Sequence, residues 1–384
     1  MWTRFALLAL LALPWVDQVK AGQPKTADYI VYVGTYTRTA SKGIYAWRFH
    51  PADGKLTALG LMAETAHPSY LAVHPNHRFL YAVNEHETTA EPGNTVTAYA
   101  MDTASVKLRL LNKVSSRGVG PAHISIDRTG RTLVVANYGS GSVASMPIHP
   151  DGRLGDAVSF FQHEGSSVDK TRQAGPHAHC AVISPDNRFV LVADLGIDQV
   201  FTYRLDADKS TLTPNDPPFI RLTPGWGPRH IEFHPNGKWV YLVSEMGSRL
   251  TTLGWNAASG TLTEMKTVST LPADFTGTST GAEVQVDRAG KFVYTSNRGH
   301  DSIAVFSIDQ ATGAVTLVQH VSTQGKTPRN FSLDPTGRWL FAANQNSGTV
   351  AVYRVDAKSG KLTPTGQLLE GAPEPSDVVF VAAK

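Results

Sequence analysis

Short apolar runs return along this chain at intervals of roughly fifty residues, each preceded by a turn and a basic side chain and each ending in Asn, Asp or Ser. The copies read HPSYLAVHPNHRFLYAVNE from His67, GPAHISIDRTGRTLVVANY from Gly120, HAHCAVISPDNRFVLVADL from His177, GPRHIEFHPNGKWVYLVSE from Gly227, GAEVQVDRAGKFVYTSNR from Gly281 and TPRNFSLDPTGRWLFAANQ from Thr327. Within a copy, a short alternating strand leads through a turn such as His-Pro-Asn-Gly into the apolar run. A second alternating run follows, as in Ser302 to Ile308, and then a looser one after an Asx-x-x-x-Gly turn such as Asp309 to Gly313. Four short strands per copy, with no helix-period stretch between them, predict an all-β chain: a β-propeller with four antiparallel strands per blade. The two ends supply the missing copy. PSDVVFV from Pro375 reads as an inner strand and YIVYVGTYT from Tyr29 as its neighbour. Pairing of the N- and C-terminal strands would then close a seven-bladed ring and leave no exposed edge.

Length fits this reading. A chain of 384 residues would ordinarily divide into domains unless it were a repeat, so residues 22–384 are expected to form a single propeller domain. The 33 Gly and 23 Pro suit its many tight turns. Residues 1–21 read as a signal peptide: Arg4 is the positive start, Phe5 to Leu13 the apolar run, and Val19-Lys20-Ala21 ends in a small residue. That run is too short to span a bilayer, which takes about 20 residues. The mature chain is therefore expected to be periplasmic or secreted, with no membrane association after cleavage; an uncleaved anchor is the alternative. Cys180 is the only cysteine, so no intramolecular disulfide forms, and the residue reads as a small buried apolar side chain. The net charge of +3 comes from 35 basic and 32 acidic residues spread along the chain, which leaves no basic stripe for nucleic acid. A monomer is expected. Gly-x-Ser-x-Gly, Walker and dinucleotide signatures are absent, which disfavours covalent serine catalysis and nucleotide chemistry, and no cofactor is implied.

The hairpin geometry says where chemistry would sit. Residues that lead into each hairpin and residues that follow its second strand lie at the end opposite the turn. All copies therefore bring them to one mouth of the channel. The lead-in column is Ser69, Ala122, His179, Arg229, Ala282, Arg329 and Ser376, flanked by Tyr70, His123, Cys180, His230, Glu283, Asn330 and Asp377. The exit columns are Asn84, Asn137, Asp194, Ser244, Asn297, Asn344 with Gly34, then Glu85, Tyr138, Leu195, Glu245, Arg298, Gln345 with Thr35. The repeated Asn, Asp and Ser suit side-chain to backbone capping. A repeat needs no arginine in only some of its copies. Arg229, Arg298 and Arg329, set among Glu245, Glu85, Glu283, His179, His123 and His230, predict a site for a small anionic ligand with an acid or base beside it. The plainer alternative is a ring of mutually satisfied ion pairs at a solvated mouth. His177 and His179 share a strand face, but no third ligand at a defined spacing accompanies them, so no metal is predicted.

These residues resemble the seven-bladed lactonase propellers, the family that includes bacterial 6-phosphogluconolactonase of the propeller type and fungal carboxymuconate cyclase. The likeness rests on VGTYT at 33–37 with KGIY at 42–45, LYAVNE at 80–85, PHAH at 176–179 with SPDNRFV at 184–190, GPRHIEFHPNGKWVY at 227–241 and SNRGHDSIAVF at 296–306. It implies a lactone hydrolase with His179, Arg229, Glu245 and Arg298 as catalytic residues, His177 being the other candidate for the histidine. His177, His123, His230, Glu283, Arg329 and Glu85 are then the expected substrate-binding shell. In this reading Arg229 and Arg298 hold a phosphate or carboxylate, while His179 and Glu245 activate water and return a proton to the ring oxygen. Arg229→Ala is expected to lose turnover and keep its fold. Export points away from a phosphorylated cytosolic substrate and towards plain sugar lactones or a muconate-type acid. A carboxymuconate-type cycloisomerase and a non-catalytic extracytoplasmic binding propeller are the alternatives.

Overall fold

A computed structural model describes residues 27–86, 94–102 and 106–383; the expected signal segment lies outside them. Seven four-stranded antiparallel sheets form a seven-bladed propeller. Blade 1 combines Tyr29–Thr35, Gly43–His50 and Lys55–Glu64 with the C-terminal strand Pro375–Ala382 as its innermost member. The closing pair runs antiparallel from Tyr29 opposite Ala382 to Val33 opposite Val378. Blades 2 to 7 begin with inner strands Leu71–Val73, Pro121–Ile126, Ala178–Ile183, Pro228–Phe233, Thr280–Val286 and Pro328–Leu333. Among the described residues, no helix is long and apolar enough to cross a membrane.

The apolar runs that carry the repeat are the second strands: FLYAVN, TLVVAN, FVLVAD, WVYLVS and WLFAAN are buried at every position. A strand covered on both faces has no polar side to present, so it reads as a continuous apolar run and not as an alternation. Seven apolar clusters result, one between each pair of neighbouring blades. Each fully buried Val, Leu or Phe in them contributes about 1.5–3 kcal/mol.

The glycines that end the turns between the outer strands have a packing reason. Gly54 adopts a φ of 84°, and a Cβ there would lie 2.1 Å from Cη2 of Trp339, on the second strand of blade 7. Gly313 stands in the same relation to Trp239 of the blade before it. The turn of one blade thus lies flat on an aromatic ring of the last. Gly54→Ala is expected to destabilise the propeller by on the order of 1–3 kcal/mol, from strain at positive φ plus overpacking, read as a lower urea midpoint. An unchanged midpoint would show that Trp339 yields at no cost.

The exit-column asparagines tie blades together. Asn137, Asn297 and Asn344 donate through Nδ2 to the carbonyls of Ser116, Thr270 and Thr323 at 3.1, 2.9 and 2.7 Å. These carbonyls belong to the segments arriving from the preceding blade, so the column is structural.

Candidate active site

The lead-in column sits on a β-bulge that the sequence does not announce. Pro228 pairs with Ser244 and His230 with Val243, which leaves Arg229 as the extra residue. The same skip isolates His179, Arg329 and Ala122. A bulge re-aims the side chain it carries, and here it does so where seven inner strands converge. In blade 1 the ladder places Thr35 opposite Pro375, and Tyr36 donates its N–H to the Glu374 carbonyl at 3.0 Å. Glu85, Tyr138 and Glu245 make the equivalent backbone bonds to His67, Gly120 and Gly227. The exit columns of blade 1 are therefore Thr35 and Tyr36, one residue beyond the expected Gly34 and Thr35. The closing strands have no turn between them on which to align.

A pocket of about 560 Å³ opens at this end of the channel. His179, Glu245, Arg298, His177, Arg329 and Glu85 line it, joined by Tyr36, Arg38, Tyr138 and Arg172. Four arginines thus face two glutamates, and both carboxylates are already engaged. Glu245 accepts from Arg229 Nε at 3.1 Å, from Arg298 Nη2 at 2.8 Å and from Arg172 Nη2 at 2.5 Å. Glu85 accepts from Tyr36 Oη at 2.7 Å and from the Ser69 hydroxyl. The Tyr36 ring lies between two guanidinium groups, with Cζ of Arg38 at 4.2 Å and Cζ of Arg329 at 5.0 Å from its centroid. Tyr138 stacks on His177 at 4.6 Å and meets His179 edge-on at 5.3 Å.

The charges follow from this packing. Burial works against the Glu245 carboxylate, but Arg298, Arg229 and Arg172 outweigh it and hold the group ionised far below the usual carboxylate range. Burial, reinforced by Arg229, His230, Arg329 and Arg298, pushes His179 well below an ordinary histidine, so the ring is neutral at pH 7. Burial and the neighbouring Arg298 and Arg329 bring Arg229 down to about 10, still protonated at neutral pH.

Arg229 lies deeper than the pocket itself, on the small cavity beneath it. Its side chain is 2% exposed, it does not line the pocket, and it donates to Glu245 and, through Nη1 at 2.6 Å, to the Ala282 carbonyl. It braces the site from beneath, and its loss would leave a void and an under-neutralised Glu245, so fold and turnover cannot be separated there. His230 lines the same cavity. Its volume is about 10 Å³, and it shares Tyr36, Glu85, His179 and Arg329 with the pocket above. His123 and Glu283 line neither space; His123 packs on Tyr70 at 4.2 Å and on His230 at 5.3 Å.

The comparisons agree with this architecture. The family described as "Lactonase, 7-bladed beta-propeller" matches residues 30–380. The chain belongs to that family. A 6-phosphogluconolactonase of Bacillus subtilis is 38% identical to this lactonase-family propeller over 303 residues, covering 79% of this chain and 84% of that protein. A 6-phosphogluconolactonase of Formosa agariphila is 31% identical over 313 residues, covering 79% and 86%. Among solved structures, a periplasmic gluconolactonase of Pseudomonas aeruginosa superposes with a TM-score of 0.88 at 35% identity, covering 93% of this chain and 100% of that one.

Sequence reasoning missed Tyr36, Arg38 and Arg172. Tyr36 was hidden by the one-residue slip, and Arg38 follows it. Arg172 belongs to the long segment between blades 3 and 4, outside every repeat. That segment is anchored through Asp198, which accepts from Ser167 Oγ at 2.6 Å and from Gln173 Nε2 at 2.7 Å. Only the length of the segment, unusual among the blade connections, marked it in advance.

Proposed function

We propose that this propeller hydrolyses a sugar-acid lactone of the glucono-δ-lactone class in the pocket at the channel mouth, and that it does so outside the cytoplasm. One observation carries the reading: a neutral histidine shares a pocket with four arginines and only two glutamates, both of which are already hydrogen-bonded within the protein. Arg298 Nε, buried beside that pocket, has no acceptor among the described residues, and the Arg329 guanidinium lies over the Tyr36 ring. Hydrolysis of a lactone needs such a pair of tools, a base for water and donors for the oxyanion.

In the reaction, His179 takes a proton from a water as its oxygen attacks the lactone carbonyl. Arg298 and Arg329 stabilise the negative charge that grows on the carbonyl oxygen. The ring C–O bond then breaks, and the ring oxygen receives the proton from His179 to become a hydroxyl. Glu245 is too firmly ionised to trade protons. Its part is to hold Arg298 and Arg172 in place, as Arg229 holds Glu245. The surplus of arginine suits the oxyanion and the carboxylate product, and it accommodates a phosphate without requiring one. The apolar N-terminal segment and the periplasmic P. aeruginosa neighbour support an unphosphorylated substrate.

The test is hydrolysis of glucono-δ-lactone and 6-phosphoglucono-δ-lactone, corrected for spontaneous opening. Enzymatic opening of the unphosphorylated lactone is expected. Arg329→Gln is expected to lower kcat/KM about 10- to 100-fold, the worth of a hydrogen bond to a charged group, with a native circular dichroism spectrum. Opening of the phosphorylated ester alone would overturn the extracytoplasmic substrate. No rate above the spontaneous one on either would favour the cycloisomerase or binding readings.

A further inference from the structure

Beneath the pocket lies a buried acid–base pair that the reaction above does not use. His230 Nδ1 is 3.0 and 3.1 Å from the two carboxylate oxygens of Glu283. Glu283 also accepts from Asn330 Nδ2 at 2.7 Å and from the Val284 N–H at 2.9 Å. With Nδ1 engaged, Nε2 is the nitrogen His230 has left for the small cavity it lines, whose volume of about 10 Å³ has room for about one water. His179 is part of the wall shared with the pocket, together with Tyr36, Glu85 and Arg329, and its ring meets that of His230 edge-on at 5.1 Å. A carboxylate that fixes one nitrogen of an imidazole while the other faces a cavity is the arrangement of a proton-accepting dyad.

We propose, resting on the lactonase reading, that His230 and Glu283 form a relay that receives, through one water in the lower cavity, the proton that lactone opening releases at His179. The balance is as follows. Hydrolysis converts lactone and water into a hydroxy acid and returns His179 to its neutral form; the O–H bond of the new carboxyl then breaks, leaving a carboxylate, and its proton passes to His179. His179 cannot keep it among Arg229, Arg298 and Arg329. Passed through the cavity water, the proton arrives at His230 Nε2 while the Nδ1 proton moves to Glu283. His230 remains neutral throughout, and the carboxylate becomes a neutral acid. Release to solvent resets the pair.

The surroundings favour this one carboxyl. Burial pushes Glu283 up to about 7, against the pull of Arg229, the Val284 amide, His123 and Asn330. Two other acids feel its charge: burial and then Glu283 push Glu232 up to about 8, and burial, with Glu283 adding to it, holds Asp377 well above the usual carboxylate range. Tyr70 and Cys180, raised by burial and then by Glu283 among other charges, are protonated near pH 7. Glu283 is the acid of this cluster that is hydrogen-bonded to His230, so it is the one placed to take the proton. Below about 7 it is already protonated, so kcat should fall as the pH falls.

The experiment compares kcat and KM against pH for the wild type, E283Q, E283D and H230N with glucono-δ-lactone, product being followed by NMR with spontaneous opening subtracted. The wild type should show an acid limb in kcat near pH 7. E283Q and H230N should lose that limb and at least about tenfold in kcat with KM unchanged, while E283D retains the limb at an intermediate rate. A limb that persists in E283Q overturns the relay, whatever the rate, because a merely structural role would lower the rate and leave the profile alone. If E283Q does not fold, the limb in H230N decides. A wild type that opens no lactone overturns the parent reading and the relay with it, whereas an active wild type whose profile ignores Glu283 overturns the relay only.

Discussion

His179→Gln yields a folded propeller that opens its lactone about 10²- to 10⁴-fold more slowly than the wild type, the usual worth of a positioned general base. Glutamine suits the test because His179 makes few bonds that its loss would break. Its Nδ1 has no partner among the described residues, and its main neighbours are the rings of Tyr138 and His230. The loss should fall on kcat, with KM and the thermal melt little changed. A full rate in this variant would remove His179 from the chemistry and leave His177 as the candidate. His177 is stacked flat on Tyr138, with Nδ1 2.9 Å from the Tyr138 carbonyl oxygen.

Glu245→Gln is expected to have the largest effect on stability. The carboxylate neutralises the buried Arg229 guanidinium, the largely covered Arg298 and the more exposed Arg172. An amide of the same shape leaves Arg229 and Arg298 beside Arg329 without the carboxylate that all three face. Breaking a buried ion pair by removing one partner costs about 3–5 kcal/mol, which for a propeller of this length corresponds to a fall of about 4–7 °C in melting temperature. Turnover should fall with it, since Arg298 loses the anchor that aims it. The pH dependence carries a definite sign. The folded-state pKa is depressed from 4.5, so the stabilisation is complete above that value and drains away only as the pH falls below it. Wild type and E245Q should therefore differ most at neutral pH and converge in strong acid. Equal melting temperatures at pH 7 would mean that the arginines are solvated and unpaired.

The fold was legible for a reason peculiar to propellers. Each second strand is enclosed by neighbouring blades, so its apolar run is uninterrupted and its turns recur with the blade. Closure of the ring could be read from Tyr29 and Pro375 because an inner strand without a blade and a blade without an inner strand stood at opposite ends. The site was legible as a set and less so in its parts. His179, Glu245, Arg298, Arg329, Glu85 and His177 do gather on one pocket, since hairpin geometry alone carries them to one end of the channel. Tyr36 escaped because antiparallel register across a chain closure has no local turn to set it. Arg172 escaped because it lies outside the repeat.

By itself the sequence determined the seven blades, the closing strand pair and the end of the channel where charged residues collect, because these depend on periodicity and hairpin direction, which are local along the chain. Only the tertiary structure decided the depth of each side chain. It placed Arg229 under Glu245, His230 and Glu283 under His179, and Arg329 on the wall between the pocket and the cavity below it. Bulges set those depths, together with competition among seven converging strands for one axis. A charged residue gives no sign in sequence of whether its partner is a ligand or another residue across the channel.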